Sequence, residues 1–304
     1  MSPLVVFSPA KINLFLAVTG RRPDGYHDLV SVAAPLEIGD TLWLEPAAEF
    51  SLECDDTNVP TGEANLVLRA ARLFVEATGW GGGVKFFLQK RLPMGAGLGG
   101  GSSNAAAALR GLNVLAGEPL DAAALSAVAA RAGSDCALFL AGRPVVMRGR
   151  GERIEPLAEA AARRLRGRRV LLFKPGFSIS TPWAYAQLAA AETSSSQAST
   201  GKPAANYLPA AEAEGRFAAW QSEESAPIEK LLFNSLESPA FRKFPALAMM
   251  LEALTVEFGL AARMSGSGSA CFALLPEGVP IEPVCACVRT VWGTGAWIVE
   301  TKIL

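Results

Sequence analysis

The sequence predicts a mixed α+β fold in two halves, on three observations. Short apolar runs rich in β-branched and aromatic residues recur along the chain, as strands do. Longer stretches between them carry apolar residues three and four apart, as helices do. The two kinds of segment do not alternate strictly enough for a doubly wound parallel sheet.

Strand-type runs open the chain at 4–7 and 12–18 and recur at 41–44 and 84–88. A helix is expected over 65–77, where Leu66, Ala70, Leu73 and Phe74 share a face. A second, alanine-rich, covers 103–115, and a third runs to about 132 from Asp121, whose carboxylate suits an N-cap. Strands follow at 145–147 and 170–173. After Pro239 a helix over 244–258 carries Leu247, Met250, Leu251 and Leu254, and strands at 271–275 and 296–299 close the pattern. Two stretches stand apart in composition. Arg163, Arg164, Arg166, Arg168 and Arg169 crowd into 160–169, which reads as a solvated turn ahead of the strand at Val170 and as a domain boundary, giving halves of 1–165 and 166–304. Residues 191–224, rich in Ser, Ala, Glu and Gln without periodicity, read as a mobile loop or an irregular insertion.

With 304 residues, half of them hydrophobic, the chain can bury a sizeable core, and disorder is excluded. A net charge of -1 argues against a nucleic-acid or membrane-surface partner. Five cysteines without a CxxC spacing and a single histidine are too few ligands for His/Cys zinc chemistry, so they read as buried thiols of a reducing compartment. No basic residue precedes the first apolar run, Pro9 and Lys11 split it from the second, and glycines and hydroxyls break the run 92–109. The expectation is a soluble, cytoplasmic chain.

The sharpest chemical feature is Leu92-Pro93-Met94-Gly95-Ala96-Gly97-Leu98-Gly99-Gly100-Gly101-Ser102-Ser103-Asn104, set between an expected strand and an expected helix. Glycines let backbone amides close on a bulky anion, and a helix start behind them adds its dipole and unpaired N–H groups. The two hydroxyls can bind phosphate oxygens or Mg²⁺. Gly95-x-Gly97-x-x-Gly100 matches the dinucleotide fingerprint in letters only, because another helix comes next where that motif needs a strand. No Gly-Lys-Ser/Thr exists for a Walker loop. Three smaller clusters accompany the loop. Ser8-Pro9-Ala10-Lys11-Ile12-Asn13 puts an ammonium and an amide on one face of a strand, and Arg21-Arg22-Pro23-Asp24-Gly25-Tyr26-His27-Asp28 turns to present an aromatic ring and an imidazole, which together suit a planar base. Taken alone, these residues also fit an edge-strand lysine and turn aromatics. Asp135, in Gly133-Ser134-Asp135-Cys136, is either a cap for the helical turn after it or a partner of Lys11. Met264-Ser265-Gly266-Ser267-Gly268-Ser269 is either a plain turn or a backbone-lined wall for a ligand.

In this order, Pro9-Ala10-Lys11-Ile12-Asn13-Leu14, Arg22 through His27, Leu92 through Ala106, Gly133-Ser134-Asp135 and Ser265-Gly266-Ser267-Gly268 resemble the GHMP small-molecule kinases. The Asp-Gly-Tyr-His turn with Pro-Ala-Lys-Ile-Asn is similar to the branch that phosphorylates a cytidine-diphosphate-linked methylerythritol in non-mevalonate isoprenoid synthesis. The resemblance implies an N-terminal α/β ATP-binding half, a C-terminal ferredoxin-like half and an active site in the cleft between. It implies Lys11 and Asp135 as the catalytic pair, the loop Pro93 to Ser103 around the phosphates of ATP, and Asn65 near the adenine. Asn13, Tyr26 and His27 would hold the cytidine-diphosphate substrate, with Tyr185 stacking on the cytosine and Gly266 to Gly268 lining the site. ATP and Mg²⁺ are the implied cofactors, the metal's protein ligands unassigned. The implied partner is the small-molecule substrate, with no nucleic acid or membrane, on a monomer or weak homodimer. Two departures stand out: Cys136-Ala137 replaces the family's Val-Pro after Asp135, and the segment 191–224 is long and polar.

Overall fold

In the computed structural model the described residues are 2–195 and 207–304, and they form two compact units. The first comprises the segment through Lys11, 35–94 and 99–143; the second comprises 12–34, 95–98 and 144–304. Two long strands contribute residues to both. Strand β1 (Leu4–Arg21) joins the two runs expected at 4–7 and 12–18, and β2 (His27–Ala47) extends the run at 41–44 back by fourteen residues. Residues 29–36 of β2 are all buried. A strand covered on both faces shows no alternation, and pattern reading passes over it.

In the first unit the C-terminal part of β2 pairs antiparallel with β4 (Gly83–Gln89), which pairs parallel with β3 (Ser51–Cys54). Helix α1 (Leu66–Thr78) lies between β3 and β4 in the chain. Its N-cap is Asn65, whose side chain accepts from Val67 N–H, and its apolar face buries Phe74 completely. Helices α2 (Gly100–Leu115), α3 (Ala122–Ala132) and the short α4 (Leu138–Ala141) complete the unit. Asp121 caps α3 as expected, accepting from Ala124 N–H at 2.8 Å. Ala105 to Ala108 of α2 are wholly buried, small side chains that let α1 pack closely against it. Phe74, Phe86, Leu42, Leu44 and Leu88 fill this core, each contributing about 1.5–3 kcal/mol by leaving water.

In the second unit β5 (Val145–Gly149) pairs with the N-terminal part of β2 and with β6 (Arg153–Pro156), while β8 (Phe233–Asn234) runs parallel to β1 at Phe15 and Leu16. A separate four-stranded sheet has β7 (Arg169–Lys174), β9 (Ala262–Met264), β10 (Cys271–Leu275) and β11 (Trp297–Lys302) in the antiparallel order β11-β7-β10-β9. With α8 (Glu237–Lys243) and α9 (Pro245–Phe258) before β9, and α10 (Glu282–Trp292) before β11, this is the ferredoxin-like half that the resemblance implies.

Two expectations are corrected by the fold. Arg163 and Arg164 belong to helix α5 (Glu159–Leu165), not to a turn, because Ala161, Ala162 and Leu165 give that helix a buried face. The Arg164 guanidinium lies 4.1 Å from the centre of the Trp220 ring and donates to Trp220 O. The stretch 191–224 is also not irregular where described. Helix α6 (Thr181–Ser195) runs into it, and α7 (Ala210–Ser222) buries Ala213, Phe217 and Trp220. Residues 196–206 of that stretch lie outside the described ones.

Candidate active site

Within the first unit, β1 carries Lys11 and the turn between α3 and α4 carries Asp135, bringing Nζ and Oδ2 to 3.8 Å. The lysine side chain is 5% exposed and the aspartate 38%, so one partner is fixed in the interior and the other reaches water. Burial lowers the Lys11 pKa and the Asp135 charge opposes that shift. The N-cap position of α4 is held by Ala137, not by Asp135. The pair is braced on both sides. The Ser8 hydroxyl, three residues before Lys11, donates to Asn104 Oδ1 of α2 at 2.6 Å with both groups buried. On the other side Ser102 hydrogen-bonds the Cys136 sulfur, and burial pushes that thiol up to about 12. The cysteine after Asp135 is therefore an un-ionised thiol bonded to the first turn of α2.

Helix α2 begins at Gly100, earlier than expected, with Gly99 as N-cap. Gly100, Gly101, Ser102 and Ser103 thus form its first turn, where the leading amides lack carbonyl partners within the helix and the dipole is positive. Ser103 Oγ is buried there without a hydrogen-bond partner, at a position where an anion or a cation's oxygen shell would use it.

The preceding part of the glycine run, 95–98, packs inside the second unit. Ala270 N–H donates to Ala96 O at 3.1 Å and the Ser265 hydroxyl donates to Gly97 O at 3.1 Å. A Cβ on Gly97, whose φ is +76°, would lie 2.1 Å from Ser265 O, so the close approach of the two backbones requires glycine. The structure thus brings Gly97 onto the turn that holds Gly266 and Gly268. Asn234 Nδ2 fixes that turn by donating to Met264 O and Gly266 O, both at 2.8 Å. Glu237 Oε1 accepts from Met264 N–H at 2.8 Å, and burial pushes its carboxyl up to about 7.

A ring cluster occupies another part of the second unit. His27 lies 5.0 Å from Tyr185 and 5.9 Å from Tyr207, centre to centre. Tyr26 is its neighbour in sequence but not in the cluster. It is 57% exposed, with the Arg150 guanidinium 4.7 Å from its ring centre. Asp24 shapes the turn between them by accepting from Tyr26 N–H and pairing with Arg22. Asn13, 5% exposed, donates to the Ser31 hydroxyl at 2.9 Å, which donates to Phe15 O.

Asn65 stands apart. Its amide accepts from Val67 N–H and donates to Pro60 O, and both bonds serve the start of α1. Sequence patterns do not single out Asp40, Asn234, Glu237 or Tyr207. Asp40 sits in the part of β2 that showed no strand pattern, and Tyr207 comes after an aperiodic stretch. A buried polar residue amid apolar ones, as in Phe233-Asn234-Ser235-Leu236-Glu237, is the signal that could have found the other two.

Two family models match the chain, the GHMP kinases N terminal domain over residues 65–143 and the GHMP kinases C terminal over 219–293. A 4-diphosphocytidyl-2-C-methyl-D-erythritol kinase of Synechococcus sp. (strain CC9902) is 40% identical over 285 residues, spanning 90% of this chain and 88% of that relative. A solved crystal structure of 4-(cytidine 5'-diphospho)-2C-methyl-D-erythritol kinase is 37% identical with a TM-score of 0.74, covering 98% of this chain and 99% of that one. A homoserine kinase from Cytophaga hutchinsonii superposes with a TM-score of 0.73 over all of this chain and 95% of that one. At 16% identity it shares the fold alone. On its glycine loop, its Lys11–Asp135 pair and these likenesses, the chain belongs to the 4-diphosphocytidyl-2-C-methyl-D-erythritol kinases, within the GHMP kinases.

Proposed function

We propose that this chain transfers the γ-phosphoryl group of ATP to the 2-hydroxyl of 4-diphosphocytidyl-2-C-methyl-D-erythritol, giving the 2-phosphate and ADP in the non-mevalonate route to isoprenoids. The observation that carries the reading is the Lys11–Asp135 pair at 3.8 Å, an ammonium held in the interior against a carboxylate that water and a substrate hydroxyl can reach. Phosphoryl transfer proceeds through a loose transition state, so the protein's work is positioning and charge stabilisation. Asp135 accepts the proton of the attacking hydroxyl. Lys11 offsets negative charge on the transferring group. The run Pro93 to Ser103 receives the triphosphate, on backbone amides opened by glycine and on the first turn of α2.

The residues present also suit Mg²⁺, which takes oxygen ligands, keeps several waters and needs few carboxylates. Ser103 Oγ, buried without a partner at the first turn of α2, is the oxygen donor that would help hold it, with waters completing the shell. When bound, the ion would supply charge neutralisation at the phosphates.

His27 reads the cytosine edge, with Tyr185 stacked on the base, while Tyr26 and Asn13 contact the rest of the cytidine-diphosphate moiety. Gly266 and Gly268 line the same pocket. The reading includes a small-molecule substrate and a cytoplasmic monomer or weak homodimer, with no nucleic-acid or membrane partner. The net charge of -1 supports it. Among the described residues no helix is long and apolar enough to cross a membrane.

The test is ADP release with Mg-ATP and each of three alcohols: the cytidylated methylerythritol, homoserine and mevalonate. Turnover confined to the cytidylated alcohol is expected. Turnover with one of the others instead would overturn the substrate assignment.

A further inference from the structure

Asp40 is fully buried in β2, and its carboxylate makes three bonds to three consecutive residues. Oδ1 accepts from Arg91 N–H at 2.7 Å and from Leu92 N–H at 2.8 Å, and Oδ2 accepts from Lys90 Nζ at 2.6 Å. Those residues lead directly into Pro93-Met94-Gly95, where the glycine run begins. The same ion pair also abuts the far end of the run. A Cβ added to Gly100, the first residue of α2, would lie 3.2 Å from Lys90 Nζ, 3.5 Å from Leu92 Cδ1 and 3.6 Å from Asp40 Oδ2. All these groups lie in the first unit. A buried ion pair adds little net stability, because desolvation offsets most of the attraction. What it fixes well is geometry, since a carboxylate with three donors admits one arrangement of them.

From this we infer that Asp40 is a positioning residue for the phosphate loop. It touches no reacting atom, but it holds the backbone at 90–92 where the chain enters the glycine run, and its ion pair packs close to Gly100 at the other end, so that the run keeps the path a triphosphate requires. The inference rests on the reading of that run as the ATP phosphate site.

Three variants separate this role from plain stability, read by calorimetric titration of a non-hydrolysable ATP analogue with Mg²⁺, by KM for ATP and for the alcohol, and by melting temperature. Asp40→Asn/Lys90→Met removes both charges and keeps an acceptor for Arg91 and Leu92, and its analogue affinity is expected to stay within about threefold of wild type. Asp40→Leu/Lys90→Met also removes the acceptor. It should weaken the analogue about tenfold or more while the alcohol KM moves by less than about twofold, the size expected from losing two charge-assisted bonds. Asp40→Asn alone leaves the lysine buried and unpaired, and the affinity it loses should return when Lys90→Met is added. A folded Asp40→Leu/Lys90→Met variant with wild-type analogue affinity, or one in which both KM values rise alike, would overturn the inference. Wild-type analogue binding and ADP release, measured in the same series, bear on the kinase reading separately.

Discussion

The cluster around Lys11 and the cluster around His27 are built by different means. The first is polar and braced by single polar contacts: the 3.8 Å ion pair, the buried bond of Ser8 on Asn104, and Ser102 on the Cys136 sulfur, all on regular elements or a tight turn beside them. The second is made of rings: an imidazole with two tyrosine rings 5.0 and 5.9 Å away, centre to centre. Groups that move protons and charge need fixed distances, which short directional bonds supply. Groups that recognise a flat base need area and tolerate small displacement, which rings supply. Damage to the first cluster should therefore appear in turnover, and damage to the second in substrate affinity and stability.

The largest expected effect tests the first half of that contrast. Asp135→Asn keeps the shape and removes the base, and should lower kcat by two to four orders of magnitude, about 3–5 kcal/mol of barrier, with ATP affinity nearly unchanged. Single-turnover ADP release checks it, and near-normal turnover would reassign the base. Gly97→Ala comes next. Its methyl group would meet Ser265 O in a backbone conformation that disfavours any side chain, at a cost on the order of 4 kcal/mol, visible as a lower melting temperature. An unchanged melting temperature would show that the two loops are not tightly clamped.

Glu237 gives a pH signature in the second unit. Its carboxyl is raised from the ordinary 4.5 to about 7 by burial, against the opposing pull of the Met264 N–H bond and the Arg263 charge. The folded state therefore favours the protonated form, and this contribution is full below about pH 4.5 and is lost as pH rises to about 7. At about 1.4 kcal/mol per pH unit the loss is roughly 3 kcal/mol. Glu237→Gln keeps an acceptor for Met264 and should be the more stable protein at pH 8, with no advantage at pH 4.5. Melting curves at the two pH values decide it. The smallest effect sharpens the contrast most. Tyr207→Ala should raise KM for the cytidylated alcohol about three- to tenfold, the worth of one ring pair, and leave KM for ATP and kcat unchanged. A fall in kcat instead would mean that the ring cluster also governs the reacting groups.

Much of the first cluster is legible in the sequence. Asp121 announces a helix start because capping chemistry is local, and the glycine run announces a turn into a helix because its composition is local too. The bounds of β10 come out residue for residue from a run of apolar residues between a Gly/Ser turn and a proline. What stays hidden depends on distant partners. Asp40 looks like a turn residue beside Gly39, and only the return of the chain at 90–92 gives its carboxylate three donors. Tyr207 sits beyond a stretch without periodicity, and only the fold sets its ring beside His27.

β1 carries Lys11 and Asn13 on one continuous extended backbone. Residues two apart on a strand share a face and are separated by about 7 Å, a length set by covalent geometry and insensitive to temperature or solvent. The strand thus acts as a gauge block between the lysine proposed to serve phosphoryl transfer and the amide proposed to face the substrate. Point substitutions can retune either end of it, but a single inserted or deleted residue at Ile12 would turn one of the two groups to the opposite face. An engineer altering the acceptor specificity of this enzyme should vary side chains along that strand and leave its residue count alone.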